Sequence, residues 1–308
     1  MTTPIKEIIN RQVPTELLEV IKEFTDIIEE SVNYGSQLLY SDSKSKSGGE
    51  ENLPAVMLFR HFLDILDSIS ILTNKGTGDT AKILIRALFE TTLFLDYLFE
   101  KDTEERSLNY IVSDIRRQIR SAKKFSPHFN DSKKLLEIFE KEGFSPQPDI
   151  LQLQQVTEFI KSKEKLLASE SLVGYNLHFE KAIKKGYKNP PWYSVKDGPR
   201  NIEALAGYLN QKSTYELLYR KWSGTVHGTD VYLGKVFASN KEHSVSIVQL
   251  RYLKDLQEVV LFSTLFTYKI FRLYVSKRLP EKSDEFTKWY IQSREAFLKI
   301  NALKLIVK

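Results

Sequence analysis

The sequence predicts an all-α protein whose core is an antiparallel helical bundle. Three observations support this prediction. Apolar residues recur at intervals of three and four along most of the chain, which is the spacing of one face of an α-helix. The period-two alternation of a strand appears only weakly, over residues 231–237. Glycine and proline separate the apolar stretches, as they do where helices end.

The N-terminal region predicts one helix and a linker. An amphipathic stripe begins near Pro14, continues to Val32 and fades over residues 35–40. Residues 41–52 are polar and of low complexity, so they cannot bury apolar area, and we expect a flexible connector. Residues 1–52 are therefore predicted to form an N-terminal helix followed by a linker.

The bundle core is predicted to span residues 53–280. It starts with helices over about 54–74 and 80–100, separated by a turn whose Gly-x-Gly lacks the strand of a nucleotide-binding loop. The second of these helices is apolar nearly all round, which is typical of a central helix. Arg86 and Glu90 lie at i and i+4 within it. Because a buried charge needs a partner, at least one of them should face a shared polar pocket.

A helical insertion is predicted over about residues 102–198. It contains a basic amphipathic helix over 103–125, two helices over 131–142 and 149–170, and a loop over 186–199 that is rich in turn residues and aromatics. Beyond the insertion, the sequence predicts a short helix and two longer ones, over 201–210, 246–278 and 283–300. Residues 281–308 are predicted to be a C-terminal helix and an apolar tail.

Composition limits the class of protein. The net charge is +5 and the pI is about 9.0, which suits a polyanionic partner without requiring one. The absence of cysteine fits a reducing cytoplasm and excludes disulfides and thiolate chemistry. The most apolar run, residues 259–268, is shorter than the roughly 20 residues of a membrane span. We expect a cytoplasmic protein with no membrane association and no signal peptide.

Residues 213–234 contain the group of side chains most suited to chemistry. On an α-helix, Tyr219, Ser223 and His227 fall at i, i+4 and i+8 and form one stripe, and Arg220 edges the same face. Gly228 follows as the residue that ends a helix. This would place the imidazole at a helix C-terminus, where the macrodipole favours its protonated form.

Several stretches together resemble an uncharacterised bacterial all-helical family. They are residues 84–91 (LIRALFET), Pro191-Trp192-Tyr193, Tyr215 and residues 219–228 (YRKWSGTVHG). That family's pattern is Arg-x-x-x-Glu on one helix and Tyr-x-x-x-Ser-x-x-x-His-Gly on another. The resemblance covers roughly residues 54–275 and implies no activity.

A wider resemblance is to the HEPN superfamily, helical-bundle proteins that include metal-independent ribonucleases of toxin–antitoxin and antiviral systems. Their signature is an arginine followed by a histidine after four to six residues, as Arg220 and His227 are, with an acidic residue on a neighbouring helix, as Glu90 is. The resemblance implies an endoribonuclease acting on RNA as an effector in bacterial defence or a toxin system. It also implies an antitoxin or defence-system partner.

In such a site His227 would act as general acid and base, and Arg220 would bind the phosphate. Tyr219 and Ser223 would orient the imidazole or hold the scissile phosphate. Glu90 and Arg86 would not contact the RNA but would hold these side chains in position. One histidine does not easily serve as both acid and base, so a homodimer that pairs two His227 side chains is expected. No metal or cofactor is expected.

Two alternatives stay open. Tyr219, Ser223, His227, Arg86 and Glu90 would also make a satisfied buried polar network in a non-enzymatic interaction protein, or a site that only binds RNA or another ligand. His61 and Asp64, at i and i+3, offer two metal ligands, but no third is identifiable by spacing, so a surface pair is favoured.

Overall fold

A computed structural model describes residues 3, 5–9, 11, 15–45, 49–124, 129–144, 153–229, 232, 235–239, 244–251, 253 and 255–302. The all-α prediction is confirmed, since helices make up most of this part of the chain. The helices are α1 (Leu18–Lys44), α2 (Leu53–Asn74), α3 (Gly78–Glu100), α4 (Thr103–Lys123), α5 (Asn130–Glu142), α6 (Leu153–Leu167), α7 (Glu170–Lys184), α8 (Ile202–Tyr208), α9 (Lys212–Thr214), α10 (Ser223–His227), α11 (Leu256–Arg278) and α12 (Ser283–Ala302).

Short elements complete the described chain. Between α9 and α10 lies a π-helix, Tyr215–Arg220. Two strands, β1 (Val236–Ser239) and β2 (Ser244–Ile247), pair antiparallel, with Val236 opposite Ile247. Turns of 3₁₀-helix occupy Thr15–Leu17, Glu50–Asn52, Trp192–Ser194 and Pro280–Lys282.

The chain forms two compact units. Unit 1 comprises Met1–Gly48, Ala55–Lys101 and Ala206–Lys308. Unit 2 comprises Gly49–Pro54 and Asp102–Leu205, a range close to that of the predicted insertion.

The core of unit 1 is aromatic. The ring of Phe59 on α2 stacks on Tyr274 of α11 at 3.9 Å between centroids and meets Phe271 edge-on at 5.6 Å. Gly35 of α1 lies so close to this cluster that a methyl group there would collide with Leu63 and Phe271. The absence of a side chain at Gly35 therefore lets α1 approach α2 and α11 closely, as interior packing density requires.

A buried ion pair joins α1 to α11. The Asp42 side chain has no exposed surface, and Arg278 donates to its two carboxylate oxygens at 2.9 and 3.1 Å. The Tyr274 hydroxyl donates to the same carboxylate. Burial raises the pKa of Tyr274, and the hydrogen bond to Asp42 raises it further, so the phenol keeps the proton that it donates.

Several predicted boundaries are wrong. Helix α1 does not fade near residue 35 but continues to Lys44, into the predicted linker, because Asp42 is buried by its ion pair. The helix predicted from residue 246 starts at Leu256, and β2 occupies Ser244–Ile247 because its β-branched residues pair with β1. Helix α7 was not predicted. Residues 46–48 of the linker and 303–307 of the apolar tail lie outside the described residues.

Helix α11 is long and apolar enough, by length and composition alone, to span a membrane. In this structure Val260, Ile270 and Phe271 are almost fully buried, and the helix packs along α3 and α1. More than half of its most apolar stretch is therefore buried in the core of unit 1, as expected of a core helix.

Candidate functional site

Residues 212–228 do not form the single α-helix on which the predicted stripe rests. Three residues of α9 lead into the π-helix Tyr215–Arg220, a turn follows at residues 221–222, and α10 ends at His227. Gly228 takes a left-handed conformation, with φ of +68°, directly after His227, so the predicted glycine stop is confirmed. π-Helical turns are rare and occur frequently at functional sites.

Two apolar side chains fix this segment on the core of unit 1. Leu218 is fully buried, and Trp222, 3% exposed, meets Phe262 of α11 edge-on at 5.8 Å. The Lys82 ammonium group of α3 lies 5.9 Å from the Trp222 ring. Lys82 is itself held by ion pairs with Asp79 and Asp255. The segment is therefore attached to both α3 and α11.

Tyr219 connects the π-helix to the two charged residues of α3. Its hydroxyl donates to Glu90 Oε1 at 2.7 Å, and the guanidinium carbon of Arg86 lies 4.1 Å from its ring centroid. Arg86 is only 9% exposed, and its Nε is buried without a hydrogen-bond partner among the described residues. Such an orphaned donor is unusual, because buried polar groups are nearly always paired.

Tyr219 remains a hydrogen-bond donor over the physiological range. Burial, followed by the hydrogen bond and the charge of Glu90, raises the pKa of Tyr219 to about 12, although Arg86 acts in the opposite direction. The phenol therefore anchors the π-helix to α3. It points to Glu90 and not, as one predicted role required, to the imidazole of His227.

We expect Tyr219→Phe to destabilise the protein by about 1–2 kcal/mol, since Glu90 loses its donor. The unfolded chain deprotonates this tyrosine near pH 10, whereas the folded chain retains the proton up to about pH 12. The stabilising contribution of Tyr219 is thus complete below pH 10 and declines as the pH rises through 12. Urea unfolding should show that the difference in unfolding free energy between wild type and Tyr219→Phe is smaller at pH 11.5 than at pH 9.

The control is Tyr40→Phe, which removes a hydroxyl from a side chain that is 65% exposed and should leave the free energy of unfolding unchanged. A difference between wild type and Tyr219→Phe that stays constant with pH would contradict this role.

The outer side of the segment carries Arg220 and His227, and both are exposed. The Arg220 guanidinium lies 5.6 Å from the Tyr215 ring, and its Nε is 3.1 Å from Glu216. Tyr215 stacks in turn on Tyr219 at 5.1 Å. Ser223 is half-buried at the start of α10.

The structure thus separates the predicted site into two layers. Tyr219, Glu90 and Arg86 form an inner layer that joins two elements of the core. Arg220 and His227 lie on the outside, where a large solute can reach them. An aromatic stack links the layers through Tyr215.

Two acidic residues near the site were not predicted. Glu216 pairs with Arg220, and Glu258 of α11 accepts from Lys221 at 3.1 Å. The i,i+4 spacing of Glu216 and Arg220 is a sequence signal for the first pair, whereas the second joins residues far apart in the chain. Asp64, the other half of the predicted His61 surface pair, pairs with Arg60 at 2.9 Å. Within the described ranges, no three His, Asp or Glu side chains are grouped as metal ligands would be.

Comparison with known proteins identifies a family for this chain. Residues 52–244, a stretch that includes α3 and the whole candidate site, match a family of unknown function, DUF5677. No curated protein and no solved structure matches the chain.

Proposed function

We propose that this chain, which belongs to the family of unknown function DUF5677, is a metal-independent endoribonuclease with a HEPN-like helical core. The observation that carries the proposal is the joint exposure of Arg220 and His227 on one short segment whose inner side is fixed to the core. A titratable imidazole and a permanent cation are thereby presented together to a polyanion.

The proposed reaction needs no group beyond the chain and the RNA. A neutral His227 imidazole takes the proton of a ribose 2′-hydroxyl, and the 2′-oxygen attacks the adjacent phosphorus. The bond from phosphorus to the 5′-oxygen breaks, and a protonated imidazole returns a proton to that oxygen. The products are a 2′,3′-cyclic phosphate and a free 5′-hydroxyl group.

The remaining side chains have supporting roles in this proposal. Arg220 stabilises the extra negative charge on the phosphate oxygens, and the Ser223 hydroxyl donates to the same phosphate. Tyr219, Glu90 and Arg86 are positioning residues that hold the π-helix on α3. The buried charge of Arg86 adds positive potential behind the site.

We further propose that the active form is a homodimer, because one imidazole cannot conveniently be both base and acid in a single turnover. Two copies would each supply one His227 to a shared RNA strand. The biological setting that we propose is a cytoplasmic effector of bacterial antiviral defence or of a toxin system, with an antitoxin or defence-system partner.

The test is cleavage of single-stranded RNA and tRNA in the presence of EDTA, with DNA of the same sequence as a substrate that lacks the 2′-hydroxyl. Wild type should cut RNA only, and Arg220→Ala should be slower by about 10²–10³-fold, as when one transition-state donor is lost. Arg60→Ala is a matched control, because Arg60 and Arg220 both pair with an acid at i+4 or i−4 and both side chains are 56% exposed. Equal loss in both variants, cleavage of DNA, or dependence on a metal would refute the proposal.

A second candidate function is a non-enzymatic helical protein that binds RNA or another protein. The observation that favours it is the use of Tyr219, Arg86 and Glu90 in tying the π-helix to α3, which is a structural role. Under this alternative, wild type would retain RNA on a filter without cutting it. The cleavage assay therefore separates the two candidates.

A further inference from the structure

Positive charge is concentrated in one segment of unit 2. Residues 181–200 contain six lysine or arginine residues and one aspartate, so their formal charge of +5 equals that of the whole chain. Elsewhere the charges of the sequence cancel. A local excess of this kind attracts anions more strongly than the mild overall charge suggests.

This segment encloses a cavity of about 810 Å³ together with the C-terminal half of α7. The volume lies within the range of small-ligand sites, roughly 300–1,000 Å³. Lys196 and Asp197 have φ of +54° and +62°, and Gly186 has φ of +99°, so the chain turns sharply on both sides of the loop. Left-handed residues other than glycine are uncommon and are frequently associated with function.

The lining of the cavity is cationic. Its charged side chains are Lys181, Lys184, Lys185, Lys196, Arg200 and Asp197. Asp197 pairs with Lys185 at 3.1 Å, and Lys196 pairs with Glu105 at 2.7 Å, but both pairs are exposed to solvent and therefore weak. The end of α7 contributes about half a negative charge. Lys181, Lys184 and Arg200 remain outside both pairs, so a net charge of about +2.5 is left even after the helix end is counted.

His178 lines the same cavity and is affected by the positive charges around it. It is half-buried, and its Nδ1 lies 3.1 Å from Oδ1 of Asn109 on α4. Burial lowers the pKa of His178, and the charges of Lys196 and Lys181 lower it further, whereas Glu105 raises it. Burial and the neighbouring lysines thus disfavour a further positive charge at this position.

We propose that this cavity binds the phosphate groups of a nucleotide, either free or within single-stranded RNA, and that Tyr187 stacks on the base. Tyr187 is half-buried and lines the cavity. Cations that contact phosphates together with an aromatic ring for the base are the usual means of binding a single-stranded nucleic acid. The proposal does not depend on the endoribonuclease proposal, because it concerns binding by residues of unit 2 alone.

The test measures binding of a fluorescein-labelled 12-nucleotide RNA to the full chain by anisotropy, in EDTA, at several salt concentrations; its ribose 2′-hydroxyls are methylated, so that the proposed nuclease reaction cannot cut it. We expect Lys184→Glu/Arg200→Glu to weaken binding at least about tenfold and to reduce the slope of log affinity against log salt by about 2. The matched control is Lys161→Glu/Lys165→Glu, which makes the same charge change at exposed positions of α6 outside the cavity. An equal loss in the control would show a diffuse surface effect and would overturn the proposal.

Competition identifies the ligand chemistry. ATP should displace the RNA better than inorganic tripolyphosphate does, and Tyr187→Ala should remove that preference while Tyr187→Phe retains it. Equal competition by ATP and tripolyphosphate would overturn the nucleotide assignment. If ATP competes and RNA longer than one nucleotide binds no more tightly than a single nucleotide, the ligand is a free nucleotide. An affinity that rises tenfold or more with RNA length assigns a strand.

An NMR titration of His178 tests the location of the nucleotide. The His178 signal, assigned with His178→Gln, should show a higher pKa with ATP bound, and an unchanged pKa would place the nucleotide elsewhere.

Discussion

Replacing His227 with alanine is expected to slow RNA cleavage in EDTA by about 10²–10⁴-fold, which is the usual contribution of a general acid–base group. The physical reason is that the proposed reaction assigns proton transfer to this imidazole, and histidine is the side chain that most often does this work. The rate should be measured under single-turnover conditions with labelled RNA, so that product release does not mask the chemical step.

Thermal melts of the same variant show whether a loss of cleavage reflects lost chemistry or lost stability. His227 is exposed at the end of α10, so its truncation should change the free energy of unfolding by less than about 0.5 kcal/mol. His61→Ala, another exposed histidine in unit 1, should affect neither cleavage nor stability. A melting temperature that falls sharply in His227→Ala with cleavage unchanged would favour the structural alternative.

Asp42→Ala is expected to give the largest loss of stability, about 3–5 kcal/mol, because it leaves the guanidinium of Arg278 buried without its counter-charge. It also removes the acceptor of the Tyr274 hydroxyl in the centre of the aromatic core. Urea unfolding followed by circular dichroism measures the effect.

Two further variants test whether the loss of stability comes from breaking the buried ion pair or from replacing an aspartate as such. Asp26→Ala, on the same helix, breaks an exposed pair with Lys22 and should cost no more than about 0.5 kcal/mol. Asp42→Ala/Arg278→Met should be more stable than Asp42→Ala alone, because the charge that Asp42 neutralised is removed as well. A double variant less stable than Asp42→Ala would mean that packing, and not charge, dominates at this position.

The fold was predictable from sequence where local signals decide it. Helices α2, α3 and α12 follow their apolar periodicity, and Gly143 ends α5 where the sequence predicts a break. The end of α1 was not predictable, because Asp42 is held by Arg278, which is 236 positions away in the chain. A polar residue in a low-complexity stretch gives no local indication of such a partner.

The residue types of the candidate site and the glycine that ends its helix were predictable from sequence. Its division into an inner, structural layer and an outer, exposed layer was not. Whether residues 215–220 adopt α- or π-helical turns depends on how Leu218 and Trp222 fit against α3 and α11. The bond from Tyr219 to Glu90, which holds this segment against α3, joins residues 129 positions apart in the chain. In the same way, the aromatic loop before Arg200 was visible in the sequence, whereas the cavity beneath it depends on left-handed turns at Lys196 and Asp197.

Because α11 lies along α3 and α1 lies along α11, the stretch from 52 to 244 lacks two of the helices that form the core of unit 1. Excising that stretch would expose the side chains of α3 that contact α11, such as Phe89, which stacks on Phe266, and Phe99, which meets Tyr274 edge-on, so the fragment is expected to aggregate. An expression boundary drawn at the limits of the family match would therefore remove α1, α11 and α12 from unit 1 and with them much of its core.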